Sequence, residues 1–173
     1  MNTNKLLAIL LLCCASTSIA ATRIAVLDFE LNDITSLPNV PSELQRTASM
    51  APLLLDELKR IGDYQTIHIP MAEQKSANGG FGYLFHFPEE AAKLGEQQHT
   101  DWLVVGQHSK PSFLFSQMWV YLIDVKSKTA VDHYIIELKG NHEKVTQRSI
   151  NALAKKIQAS IIAHEKKPDQ PLE

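Results

Sequence analysis

The chain has 173 residues, with 17 Lys and Arg against 19 Asp and Glu, a net charge of −2 with histidine neutral. That weak acidity argues against nucleic acid or an anionic membrane surface as a partner, since both demand a basic patch. The two cysteines, Cys13 and Cys14, stand together near the amino terminus, so the remainder of the chain holds no disulfide, thiol nucleophile or thiolate metal site.

Residues 1–20 read as a secretory signal peptide. Lys5 supplies the positive charge, residues 6–14 form an uncharged apolar run, and Ser18 and Ala20 are the small residues a signal peptidase reads. Cleavage is expected between Ala20 and Ala21. The apolar run is too short for a membrane span, which needs roughly 20 residues. Leu12 precedes Cys13 where lipid attachment requires a small residue, so an unlipidated periplasmic protein with no membrane insertion after cleavage is expected. Residues 21–165 are expected to form one α/β domain, and residues 166–173, with two prolines and mixed charge, a disordered tail.

The elements follow in chain order. Residues 23–29 (Arg-Ile-Ala-Val-Leu-Asp-Phe) suit a buried central strand. From Ser42 to Ile61, Leu44, Ala48, Ala51, Leu55, Leu58 and Ile61 recur as one helical face, with Ser42 as N-cap and Gly62 as C-cap. Pro52 inside that pattern predicts a kink or break. Residues 64–69 are a second strand. Residues 71–87 are the least regular part, where Phe81, Tyr83, Phe85 and Phe87 fit either an edge strand or an aromatic loop over the core. Pro88, Glu89 and Glu90 open a helix to about His99. Three strands follow at 101–109, 113–125 and 130–139, and their short connections force antiparallel pairing. Asn141 is the expected N-cap of a last helix whose stripe is Val145, Ile150, Leu153, Ala154, Ile157 and Ile161. The order is β-α-β-α-β-β-β-α: an α/β (α+β) fold with a mixed sheet, an antiparallel three-strand meander and a long C-terminal helix.

Residues 23–30 (Arg-Ile-Ala-Val-Leu-Asp-Phe-Glu) resemble the first strand of the curli secretion channel and of the TolB amino-terminal domain. A second resemblance covers most of the chain after the leader. It rests on residues 29–33 (Phe-Glu-Leu-Asn-Asp) with Thr35, on Gly106, Lys110, Ser112 and Leu114, and on Gly140, Asn141, Glu143 and Arg148. These look like a family of secreted bacterial proteins known only as a domain of unknown function (the 3280/2380 series). Its members are sometimes encoded near periplasmic quinoprotein alcohol dehydrogenases, which implies an accessory role. Two departures stand out. The family often has a cysteine pair before the segment that is Ala92-Lys93-Leu94-Gly95 here, and this chain has Phe81 to Phe87 instead. Phe113 follows Ser112 where the family tends to have Asn.

No catalytic motif is present, so no catalytic residue, cofactor or metal site is assigned. The seven histidines show no chelating spacing; a site would have to assemble in three dimensions, for example from His108 and His133 on neighbouring parts of the sheet, and zinc needs three or four ligands. Glu30 and Asp33 lie past the end of the first strand, where open α/β sheets place ligands; the competing reading is that they cap a loop and pair with Lys110 or Arg148. Lys110, Ser112 and Arg148, with Asn141 at a helix amino end, are a candidate anion site, against turn chemistry at 110–112. Phe113, Phe115, Trp119, Tyr121 and Ile123 share one strand face, which is either a partner surface or a second core. The function expected is a non-catalytic periplasmic accessory protein that binds a periplasmic or outer-membrane protein. The alternative is a periplasmic small-ligand or anion binder.

Overall fold

The computed structural model describes residues 21–69, 71–139 and 142–166. The expectations for the leader (1–20), for Pro70 and Gly140, for Asn141 as a cap and ligand residue, and for the tail beyond Lys166 lie outside the described residues. Among them are six strands, β1 (Thr22–Val26), β2 (Glu30–Asp33), β3 (Tyr64–His68), β4 (Trp102–Lys110), β5 (Ser116–Asp124) and β6 (Thr129–Leu138). Five helices accompany them: α1 (Pro41–Ile61), α2 (Met71–Ala77), α3 (Tyr83–His86), α4 (Pro88–Gln97) and α5 (His142–Glu165).

The strands form one mixed sheet in the order β3-β1-β4-β5-β6, with β2 also paired to β4. β1 runs parallel to β3 and β4, and β4, β5 and β6 form an antiparallel meander. The expected α/β fold with its meander and long C-terminal helix is the observed one. Alternation along β1 and β4 sorts the core into two. Ile24, Val26, Trp102, Val104, Met118, Val120 and Leu122 face α1 and α5. Ala25, Leu27, Leu103, Val105 and Ile123 face α3 and α4.

β2 continues the path of β1 along β4 after a break, and the residues at the break explain it. The Phe29 ring lies across Gly106 of β4, so close that a Cβ there would stand 2.4 Å from a ring carbon. Only glycine permits that approach. At the same break the buried side chain of Gln74 accepts a hydrogen bond from the Asp28 N–H and donates one to the Asp28 carbonyl, each at 3.0 Å. A side-chain amide thus replaces the strand ladder for one residue, satisfying backbone groups that are costly to bury unpaired.

The helices bring four corrections. Of the expected kink or break at Pro52, no break forms: α1 continues through it, with Pro52 and Ala48, whose carbonyl loses its donor, both on the exposed face. It starts at Pro41, behind Val40 with no side-chain cap, so Ser42 is not the N-cap. Its inward face is Glu43, Thr47, Met50, Leu54 and Leu58, while Leu44 is 47% exposed and Ala48 is exposed as well. In the segment 71–87 no edge strand forms: α2 and α3, joined by the turn at 78–82, lay Leu84 and Phe85 on the sheet, while Phe81 and Phe87 stay exposed.

The stripe of α5 is as expected, with Ile150, Leu153, Ala154 and Ile157 fully buried and Ile161 nearly so. A polar clasp fixes it to β6. The Tyr134 hydroxyl donates to Ser160 Oγ at 2.8 Å, and Ser160 Oγ donates to Asp132 Oδ2 at 2.6 Å. Burial pushes the Tyr134 hydroxyl up to about 12, so the donor keeps its proton.

Candidate functional site

Where α1 and α5 cross the carboxyl end of β4, polar residues take over the core. Glu43 is 2% exposed, His108 fully buried, Lys110 6% and Arg46 8% exposed. Lys110 Nζ donates to Glu43 Oε1 at 2.9 Å, and Arg46 Nη1 lies 3.8 Å from Glu43 Oε2. One carboxylate therefore faces two cations. Arg46 Nε donates to Thr146 Oγ1 of α5 at 2.9 Å, and Nη1 donates to Ser116 Oγ of β5 at 3.4 Å. Burial lowers the Arg46 guanidinium from its ordinary value, opposed by Glu43.

His108 completes this network. Thr47 Oγ1 donates to the Glu43 carbonyl at 2.8 Å and lies 2.7 Å from His108 Nδ1. The carbonyl has no proton to give, so the hydroxyl supplies that bond and Nδ1–H supplies the other. Burial first, then the Arg46 charge, drops His108 to about 4, with Glu43 pulling the other way. The ring is neutral at pH 7. His108 Nε2 and Arg46 Nη2 are buried without a hydrogen-bond partner.

Outside the network, α1 and α5 leave a groove of about 980 Å³, whose walls include Arg46, Thr146, Gln147, Arg148, Ser49 and Leu53.

The structure disperses the predicted ligand residues. Glu30 accepts from Asn78 Nδ2 at 2.7 Å and from the Gly82 N–H at 2.8 Å, holding the turn before α3. Asp33 accepts from the Thr35 hydroxyl at 2.7 Å and from the backbone N–H groups of Thr35 and Asn39. Partial burial works against its charge, but those bonds and Lys110 hold the carboxyl below the usual range. Lys110 pairs with Glu43, not with Glu30 or Asp33. Ser112 is exposed in the turn after β4. Arg148 lines the α1–α5 groove. His108 and His133 lie on opposite faces of the sheet, since His108 meets α1 and His133 stacks near Tyr121. Among the described residues no group of three His, Cys, Asp or Glu is placed to hold a metal ion.

The aromatic face is smaller than the sequence implied. β5 starts at Ser116, so Phe113 and Phe115 belong to the preceding loop and only Trp119, Tyr121 and Ile123 share the strand face. The Lys110 and Lys139 ammonium groups stand 5.9 and 5.6 Å from the Phe113 and Phe115 ring centres. Ile123 is buried under the helices, and Tyr121 packs on Phe85 at 4.6 Å between ring centres. Trp119 is less completely covered. It stands opposite Gln107 of β4 and Ile135 of β6, is 39% exposed, and Ile135 is 57% exposed. Neither residue belongs to a core cluster.

Sequence reasoning missed Glu43, Arg46, Thr47 and Ile135. The spacing of Glu43 and Thr47 with Met50, Leu54 and Leu58 was the available signal, a helical stripe that becomes visible only if a carboxylate is allowed inside it.

A family model for DUF3280, described as protein of unknown function (DUF2380), matches residues 22–157. The chain belongs to that family. No curated protein matches it. Among solved structures, this DUF3280 member is similar to the L103M PelC dodecamer from Paraburkholderia phytofirmans, with 14% identity over 80% of this chain and 89% of that one, at a TM-score of 0.54. It is similar to TolB from Acinetobacter baumannii at 14% identity, over 83% of this chain and 29% of TolB, with a TM-score of 0.51. Lipoprotein GNA1162 from Neisseria meningitidis shares 16% identity over 81% of this chain and 99% of its own, with a TM-score of 0.50. At these identities the likeness is one of fold. Among the described residues of the DUF3280 chain, no helix is long and apolar enough to cross a membrane.

Proposed function

We propose that the protein is a non-catalytic accessory protein of the periplasm that binds another envelope protein through the uncovered part of its sheet, centred on Trp119 and Ile135. The observation that carries this is the position of the pair. The two side chains are direct cross-strand neighbours on β5 and β6, outside both cores and partly open to solvent. An indole beside an isoleucine on a strand surface is an apolar contact left open, and interfaces concentrate their energy in such aromatic anchors. One of the structures similar in fold is a dodecamer, which supports a role in assembly. The leader expected at residues 1–20 supports the compartment. The quinoprotein link implied by the family resemblance supplies the first bait, a periplasmic quinoprotein alcohol dehydrogenase.

The test pairs capture with stability. The tagged protein, Trp119→Gln and Ile135→Gln are passed over the same periplasmic extract and the bait, and each is melted. The expected outcome is one identified partner retained by the parent and lost by both variants, with melting temperatures within a few degrees of the parent. A steep fall in melting temperature for Trp119→Gln, on the scale of about 3–5 kcal/mol for a buried tryptophan, would instead place the ring in a core.

A further inference from the structure

We propose that the groove between α1 and α5 binds a small ligand through an oxyanion, a carboxylate or phosphate group held by Arg46 and Arg148. This site lies on the α1 and α5 side of the sheet, on the face opposite Trp119, and stands independently of the partner-binding reading.

Three observations carry it. Arg46 is more than nine-tenths buried, yet its Nη2 has no hydrogen-bond partner. In a guanidinium Nε and Nη2 share one edge. Nε is spent on Thr146, a residue of the groove wall, and Nη2 shares that edge, itself buried just behind the wall. A buried donor left unfilled is expensive, and an arginine is the side chain best shaped to give it to a carboxylate or phosphate oxygen. The second observation is charge. The nearest carboxylate, Glu43, already faces Lys110 as well as Arg46, so one anion serves two buried cations. The third is Arg148, exposed on the same groove and in no ion pair among the described residues. The space, about 980 Å³, lies within the range of small-molecule sites. Ser49 and Gln147 offer polar contacts to the body of a ligand, and Leu53 an apolar one.

The full chain without its leader is titrated calorimetrically with sodium phosphate and, separately, with sodium succinate, at ionic strength held constant with NaCl. The expected result is saturable binding of one anion per chain by at least one of the two. Arg148→Gln, a surface change, should weaken it tenfold or more with an unchanged melting temperature. Arg46→Lys, which keeps the charge but not the fork, should weaken it too if the variant folds; Arg148→Gln carries the test if it does not. Trp119→Gln should bind the anion as the parent does, which separates this site from the sheet surface. Preference for phosphate or for succinate names the headgroup. No saturable heat with either anion, or equal affinity in Arg148→Gln, would overturn the proposal.

Discussion

His108 is uncharged because burial and the cations Arg46 and Lys110 outweigh the pull of Glu43, already engaged by Lys110, and of the more distant Asp33. The folded value near 4 lies below the ordinary 6.5. Above pH 6.5 the ring is neutral in both states and the fold loses nothing. As the pH falls from 6.5 toward 4, the unfolded chain takes up the proton first, so stability declines through that window, by on the order of 3 kcal/mol in all. His108→Asn keeps a donor in reach of Thr47 and removes the titration. Urea midpoints measured from pH 7.5 to 4 should fall for the parent and fall visibly less for the variant. Nothing in the local sequence announces this residue. Glu43 and Lys110 are 67 positions apart, and each taken alone has the look of a solvated charge.

Elements were more legible than residues where the apolar spacing was regular. The stripe of α5 and the apolar alternation of β5 needed no knowledge of neighbours, because period 3.6 and period 2 are local properties. The start of β5 was misplaced since Phe113 and Phe115 continue its apolar character into a loop. For α1 the face was read wrongly at its amino end, where tertiary ion pairing overrides apolarity and leaves Leu44 outside. The helices of 71–87 were illegible for a related reason: Gln74 is fixed by a strand break that lies 46 residues earlier. α5 also yields a direct test. Leu153 and Ile157 are fully buried between the helix and the sheet. Leu153→Ala or Ile157→Ala should each cost about 2–5 kcal/mol in denaturant unfolding. A loss under about 0.5 kcal/mol, typical of surface changes, would show the stripe to be free.

At the scale of the whole molecule, connection length did most of the work. Turns of a few residues between β4, β5 and β6 allow only an antiparallel meander, and the helices between β1, β3 and β4 permit parallel strands, so the sheet's two halves follow from the order of elements. The placement of β1 between β3 and β4 was not legible, because it depends on how each helix packs back over the sheet. Assembly of the polar network from α1, β4, β5 and α5 is likewise a product of the finished fold. The predicted processing belongs to this scale as well. Intact-mass measurement of the periplasmic protein should give Ala21 as the first residue with no acyl group, and a diacylglyceryl mass on Cys13 would replace a free accessory protein with a tethered one.

The amide of Gln74 ties together parts that the chain order keeps separate. It is carried by α2, but both of its bonds go to the main chain of Asp28, between the two parallel strands at the centre of the sheet. Lifting α2 away would strip two backbone groups at once, at roughly 1–3 kcal/mol for each group left unsatisfied. Glu30 adds a second rivet from the same place, gripping Asn78 and Gly82 on the way to α3. The cover over that half of the sheet is therefore no detachable lid. It opens when the central strands open, so the surface proposed for a partner, at the exposed pair Trp119 and Ile135, needs no such opening.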